Sequence, residues 1–122
     1  MTVAVSDRPI YRQAEDISEA DFRTCAETSG EASDRPLGIA CVLALRTIIG
    51  SGILPPNAIM LGYRATWHEE PRPGRYLTEM SVVEADLPRT RYQRVVIGYR
   101  TTEADGRLAV EQEQEVLWPV TA

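Results

Sequence analysis

PLGIACVLALRTIIG, at residues 36–50, is the most apolar run of the chain, and Arg46 is its only charged residue. When the run is projected as a helix, apolar residues occur on every side, which is typical of a buried helix. It is shorter than the about 20 apolar residues that a membrane-spanning helix needs. Glycines predict its end, and Pro55 and Pro56 prevent a restart. The sequence therefore predicts one central helix in the protein core.

Two helix starts can be read from the sequence. Asp34 can cap the free amides of the central helix. Pro36 fits the first turn, because an amide there has no hydrogen-bond partner within the helix and the missing N–H of proline costs nothing. A second helix is predicted between residues 16 and 30, where Ser18 and Asp21 resemble a capping box and a glycine provides the stop. Its apolar residues form one stripe, so we expect this helix on the surface with the stripe inward.

After the double proline the pattern changes to a period of two, which predicts strands. A short edge strand could also begin near residues 9–11. Ala104-Asp105-Gly106 is a strong hairpin signal. Long antiparallel strands twist, so such a sheet can curl around an apolar helix and give an α+β fold. The four strands are predicted at about residues 59–68, 76–86, 92–102 and 107–118, with Ile59, Leu61, Tyr63, Ala65 and Trp67 on one face of the first.

Length and composition narrow the class of protein. A chain of 122 residues is expected to form a single domain, 1–122, with residues 1–9 as a loose arm. The net charge is −5 and all 13 basic residues are arginines without a basic run, which argues against nucleic acid or an anionic membrane as a partner. No signal peptide is recognised in the first residues. Cys25 and Cys41 fit reduced thiols in a cytoplasmic protein better than a disulfide framework.

The residues that carry metal or phosphate chemistry are scarce. His68 is the only histidine, and the two cysteines lack ligand spacing, so no metal site is predicted. The Gly-Ser-Gly at 50–52 follows a helix instead of opening one, so it is not a phosphate-binding loop. We therefore expect neither a metal nor a cofactor.

Three segments of the sequence resemble MaoC-like hydratases and dehydratases, a branch of the hot-dog fold. ISEADFRTCAETSGE, at 17–31, resembles the opening helix of that family. LPPNAIMLGYRATWHEEPRPGRYL, at 54–77, resembles the strand that leads to its Pro-x-Pro-Gly turn, and the hairpin around 104–106 resembles its last hairpin. Together these segments cover most of residues 10–119. The resemblance implies a hot-dog fold, with a long central helix wrapped by a curled sheet.

The catalytic segment of the family departs from its pattern here. The family uses roughly Asp-x-Asn-Pro-x-His, whereas this chain reads EASDRPLG after Gly30. One register places Asp34 near the family's aspartate but Gly38 about where the histidine should follow. The register we favour makes residues 36–38 the helix start and deletes the catalytic segment. In both registers the Asp/His pair is incomplete.

The resemblance also implies where a thioester would bind. A hydratase adds water across the double bond of a 2-enoyl thioester, which needs an acid/base pair and donors for the thioester oxygen. The amides near Leu37 and Gly38 could supply the donors, and Asp34 or His68 the proton transfer. Each also has an ordinary explanation, as a helix start, an N-cap or a solvated strand-end histidine.

Two arginines could meet the phosphates of a carrier. Arg72 and Arg75 lie in the predicted turn around the Pro-x-Pro-Gly sequence, where they could bind coenzyme A or an acyl carrier protein. Arginines in such turns are otherwise simply solvated.

The resemblance and the incomplete Asp/His pair together imply an acyl-thioester-binding protein, the non-catalytic partner of a paired hydratase. It would bind an acyl-CoA or acyl-carrier-protein thioester and pair as a homodimer or as a heterodimer with a second hot-dog subunit. One alternative is an active hydratase or dehydratase that uses Asp34 or His68. A thioesterase is disfavoured because residues 36–50 contain no carboxylate. The remaining alternative is a structural or small-molecule-binding protein without catalysis.

Overall fold

The computed structural model describes residues 2–30, 33, 35–89 and 91–120. Within these residues, five strands and two helices follow one another in the order β1, α1, α2, β2, β3, β4, β5. The helices are α1 (Glu19–Ser29) and α2 (Ile39–Ser51). The strands are β1 (Tyr11–Ile17), β2 (Ile59–Trp67), β3 (Gly74–Ala85), β4 (Tyr92–Glu103) and β5 (Leu108–Pro119).

The strands form one antiparallel sheet in the order β1–β3–β4–β5–β2, which places β1 and β2 at its two edges. Helix α2 lies on one face of this sheet, where it contacts β1, β3 and β5, and α1 packs beside it. The α+β architecture predicted from the sequence, a central helix on a long-stranded antiparallel sheet, is confirmed.

Helix α2 is buried along the side that faces the sheet. Leu43 and Ala44 are 0% exposed and Ile48 is 2% exposed. The opposite side is open in the single chain, where Leu45 is 39% and Ile49 is 70% exposed. The prediction of a buried helix is therefore confirmed for the side that faces the sheet. The sheet and α1 cover only part of the circumference of α2, so its other side is open in the single chain.

The start of α2 differs from the prediction. The helix begins at Ile39, and residues 36–41 are joined by hydrogen bonds from each amide to the carbonyl three residues earlier, a tight first turn. Gly38 is the N-cap and makes no side-chain capping bond. The predicted capping residue, Asp34, lies outside the described residues. The helix ends at Gly52 in the left-handed conformation with φ 68°, as the glycines predicted.

Arg46 and Gly50 face β1 and α1. The guanidinium of Arg46 lies 3.6 Å from the carboxylate of Glu15 and 3.4 Å from that of Asp21, and its carbonyl accepts a 3.0 Å hydrogen bond from Gln13. A side chain at Gly50 would collide with Gln13, since a Cβ there would lie 2.0 Å from Oε1. Both positions therefore hold α2 close to β1.

Helix α1 has the predicted capping box. The Ser18 hydroxyl accepts from the Asp21 amide, and the Asp21 carboxylate accepts from the Ser18 amide at 2.8 Å. This backbone hydrogen bond is the main reason that the pKa of Asp21 is lowered. Phe22, 1% exposed, leads the inward stripe, and Gly30 ends the helix with φ 73°.

The N-terminal arm is attached to the sheet, so the expectation of a loose arm is wrong. The Val3 amide donates to Gln93 Oε1 at 2.8 Å, and Gln93 Nε2 donates back to the Val3 carbonyl at 2.7 Å. Ser6 and Ile10 bond to the backbone of β3. These long-range contacts were not visible in the local sequence, because a buried glutamine far along the chain supplies the partner.

Strand β2 contains a bulge that reverses part of the predicted alternation. The register against β5 shifts at Leu61. As a result Met60 and Tyr63 both contact buried glutamine side chains of β5, on the face toward α2. The prediction that Ile59 shares a face with Tyr63 is wrong. The extra residue of the bulge places Ile59 on the opposite face of the strand from Tyr63.

We expect Leu43→Ala to lower the free energy of unfolding by about 2–5 kcal/mol, because it leaves a cavity at a fully buried site. Leu87→Ala is the matched control: this leucine is 87% exposed, and its loss should change stability by less than about 0.5 kcal/mol. Urea unfolding followed by circular dichroism measures both. Equal effects would contradict the placement of α2.

Candidate functional site

The first candidate element is the turn that opens α2. The Leu37 carbonyl accepts hydrogen bonds from the Ala40 amide at 3.2 Å and from the indole nitrogen of Trp67 at 3.0 Å. Trp67 is the last residue of β2, so this bond joins the edge strand to the helix start. A helix N-terminus carries a partial positive charge and favours an oxygen with developing negative charge. Leu37 and Gly38 thus lie where the sequence predicted donors for a thioester oxygen.

Arg35 fixes the approach to this turn. Its guanidinium stacks over Phe22, 5.2 Å from the ring centroid, and forms a two-pronged ion pair with Glu19 at 2.9 and 3.1 Å. Both partners belong to α1. The segment that leads into α2 is therefore tied to the neighbouring helix on one side and to β2 on the other.

His68 is not brought to the start of α2. Its ring nitrogen lies 3.0 Å from Glu111 on the outer face of the sheet, the face away from α2. There it lines a groove of about 680 Å³ with Arg64, Arg100 and Glu113. The sheet separates His68 from Leu37, so the two candidates do not form a common site in this chain. Asp34, the other predicted proton-transfer residue, lies outside the described residues.

The two predicted phosphate-binding arginines each have an acidic partner. Arg72 Nε lies 2.7 Å from Glu103, whose side chain is only 10% exposed. Arg75 lies 3.1 Å from Asp16 in the neighbouring strand. A carrier phosphate would have to compete with these ion pairs, so the phosphate-binding role stays a prediction.

The second candidate element is a set of exposed apolar side chains on the open side of α2, in the segment that follows it and on the edge strand β2. Strand β2 pairs with β5 along one edge, and no described residue pairs with its other edge. Exposed apolar patches of this kind mark interaction or ligand-binding surfaces. We call it the α2–β2 surface; its members, each 36–70% exposed, are Leu37, Leu45, Ile49, Ile53, Leu54, Met60, Leu61 and Tyr63.

A layer of polar side chains lies just behind this surface. The Tyr99 hydroxyl donates to Gln114 Oε1 at 2.5 Å, and the Tyr63 hydroxyl donates to Gln112 Oε1. Burial raises the pKa of both tyrosines, with Cys41 of α2 a further contributor. The side-chain nitrogen of Gln112 is buried and has no hydrogen-bond partner among the described residues.

The sequence analysis missed the two buried glutamines, although a signal for them existed. In β5 they alternate with Glu111, Glu113 and Glu115, which lie on the other face of the strand. Period-two alternation therefore placed both glutamines on the apolar face, where a polar residue is informative.

Other classes of site receive no support from the described residues. No helix among them is long and apolar enough to cross a membrane. The described residues also include no group of three His, Cys, Asp or Glu side chains that could hold a metal ion. Cys25 and Cys41 form no disulfide, and both are half-buried.

Comparison with solved structures identifies the fold. The chain is similar to a 3R-hydroxyacyl-ACP dehydratase complex, HadBC, from Mycobacterium tuberculosis (TM-score 0.74, 15% identity, 96% of this chain and 99% of that chain). It is also similar to a MaoC-like dehydratase from Rhodospirillum rubrum (0.73, 18%, 98% and 96%). A third similar structure is the R-hydratase PhaJ1 from Pseudomonas aeruginosa (0.68, 22%, 98% and 84%).

These similarities confirm the predicted hot-dog fold, and the solved structures that share it include MaoC-like dehydratases and R-hydratases. No protein-family model matches the chain, and no curated protein sequence matches it. At these identities the comparison establishes the fold, while activity has to be argued from the residues of this chain.

We expect Trp67→Phe to loosen the opening turn of α2 without unfolding the protein. The ring remains packed, but the bond to the Leu37 carbonyl is lost, at a cost of about 1 kcal/mol. Hydrogen exchange should therefore quicken at the amides of residues 39–41. Trp118→Phe, at the other end of the core, is the control and should leave those amides unchanged. Unaltered exchange in Trp67→Phe would contradict a role in fixing the turn.

Proposed function

We propose that this chain binds acyl thioesters, carried on coenzyme A or an acyl carrier protein, as the non-catalytic subunit of a paired hydratase or dehydratase. The observation that carries the proposal is the α2–β2 surface, which runs from the helix start along an unpaired strand edge. An acyl chain could lie along this surface with its thioester oxygen at the α2 N-terminus.

The pairing follows from the same surface. An edge strand with exposed apolar neighbours has to be covered to avoid aggregation. A second hot-dog subunit, identical or different, would cover β2 and the open side of α2 and close a tunnel around the acyl chain. The HadBC structure is a complex of hydroxyacyl-ACP dehydratase subunits, which supports pairing by analogy. We propose a cytoplasmic location, since Cys25 and Cys41 form no disulfide.

No acid/base pair that includes His68 is assembled at the start of α2 among the described residues, and this supports the non-catalytic role. His68 faces the other side of the sheet and is held by Glu111, and the segment before α2 contains no histidine. An active hydratase that uses Asp34 or His68 is the alternative, and a structural role without ligand is the remaining one. The two experiments below separate these possibilities.

We expect sedimentation equilibrium to show a dimer, formed either by the purified chain alone or by the chain together with a second hot-dog subunit. Ile49→Glu should shift it to a monomer, because this residue is 70% exposed in the single chain and a charge there costs little until a partner covers it. Leu87→Glu, in the loop between β3 and β4, is the control and should leave the assembly intact. A wild-type chain that stays monomeric both alone and with a second hot-dog subunit would contradict pairing.

We expect the chain alone not to hydrate crotonyl-CoA at a useful rate. Each general acid or base is worth about 10²–10⁴-fold, so a site without the pair binds but does not turn over. The measurement is the loss of enoyl-thioester absorbance, first with the chain alone and then with a second hot-dog subunit. Brisk hydration by the chain alone would favour the active-enzyme alternative, and Asp34→Asn and His68→Gln would then identify the responsible residue. Absence of both hydration and acyl-CoA binding would favour the structural role.

A further inference from the structure

The unpartnered amide of Gln112 is the starting point. Gln112 is 3% exposed, and its Oε1 accepts from the Tyr63 hydroxyl while its Nε2 has no partner among the described residues. The neighbouring glutamine, Gln114, is better satisfied: its oxygen accepts from Tyr99 and its nitrogen lies 3.9 Å from the sulfur of Met60. A buried donor without an acceptor is destabilising, and it calls for a specific explanation.

The position of Gln112 relates it to the α2–β2 surface. Trp67, which bonds the helix start, lies opposite Val110 in β5, and Gln112 is two residues further along the same strand. At about 3.4 Å per residue, the amide lies about 7 Å along the strand from the level of the helix start. It would therefore meet the middle of an acyl chain whose thioester is held at that start.

Tyr63 forms the wall between the amide and the surface. Tyr63 is 39% exposed and belongs to the edge strand β2, whereas Gln112 on the neighbouring strand is buried. A change in the rotamer of the Tyr63 side chain would uncover the amide and would break the hydrogen bond between them. The two polar atoms of Gln112 belong to one planar amide. An oxygen that reaches its nitrogen therefore also lies close to the position of the Tyr63 hydroxyl.

We infer that the acyl chain bound at the α2–β2 surface carries a hydrogen-bond-accepting oxygen, such as a keto group, partway along its length, and that Gln112 Nε2 donates to it. This inference rests on the proposed function and narrows it from acyl thioesters in general to mid-chain oxygenated ones. An unsubstituted hydrocarbon chain would leave the amide unpartnered, and a site with an unpaired buried donor discriminates against such a ligand.

The test compares octanoyl-CoA with its keto isomers, in which the keto group occupies successive positions, by calorimetric titration of the full-length protein. At least one keto isomer should bind about tenfold more tightly than octanoyl-CoA, the preference expected from one newly satisfied buried donor. Gln112→Leu should abolish the preference while it retains octanoyl-CoA binding. Thr101→Val, which removes a buried hydroxyl paired with Thr78 in the same sheet face, is the control and should retain the preference.

Thermal unfolding provides a second readout. Gln112→Leu should raise the melting temperature, because it removes the unpartnered donor and leaves Tyr63 able to turn to water. Equal binding of octanoyl-CoA and every keto isomer, or a preference that persists in Gln112→Leu, would overturn this inference alone. No binding of any of these thioesters would overturn the proposed function and this inference with it.

Discussion

Burial of one side of α2 against the sheet organises this protein. Leu43, Ala44 and Ile48 fill the space between the helix and the long strands, and two core clusters meet along that line. Sheet twist brings β1 and β5 up on either side of the helix. The other side of α2 has no cover in the single chain, so the force that builds the core also leaves an apolar surface next to an unpaired strand edge.

Much of this arrangement could be predicted from local patterns. The capping box at Ser18, the Asp-Gly hairpin and the period-two strands after the double proline each have a local physical cause, and the structure contains all three. The bulge at Leu61 and the attachment of the N-terminal arm to Gln93 were not predictable, because each depends on a partner distant in the sequence. The same applies to the open side of α2, since apolar residues alone do not reveal how much of a helix the rest of the chain can cover.

The candidate site was predicted less completely than the fold. Leu37 and Gly38 lie at the helix start as expected, but the bond from Trp67 that fixes this turn joins residues 30 positions apart. His68 was a candidate only because histidine is rare in the chain, and strand alternation places it on the far face. The most informative side chains, Gln112 and Gln114, lie in the run EQEQE, which is uniformly polar and so resembles a solvated strand. They are recognised as buried only when alternate residues are assigned to the two faces of the strand.

The single charge in α2 decides how the helix is turned about its own axis. A helix with apolar residues on every side can bury several faces almost equally well, so hydrophobicity alone leaves its rotation undetermined. The ion pairs of Arg46 and the close approach at Gly50 both point toward β1, and they select one rotation among these. That choice leaves Leu45 and Ile49 exposed. The polar contacts that α2 makes with β1 and α1 therefore determine which of its apolar side chains stay uncovered in the single chain.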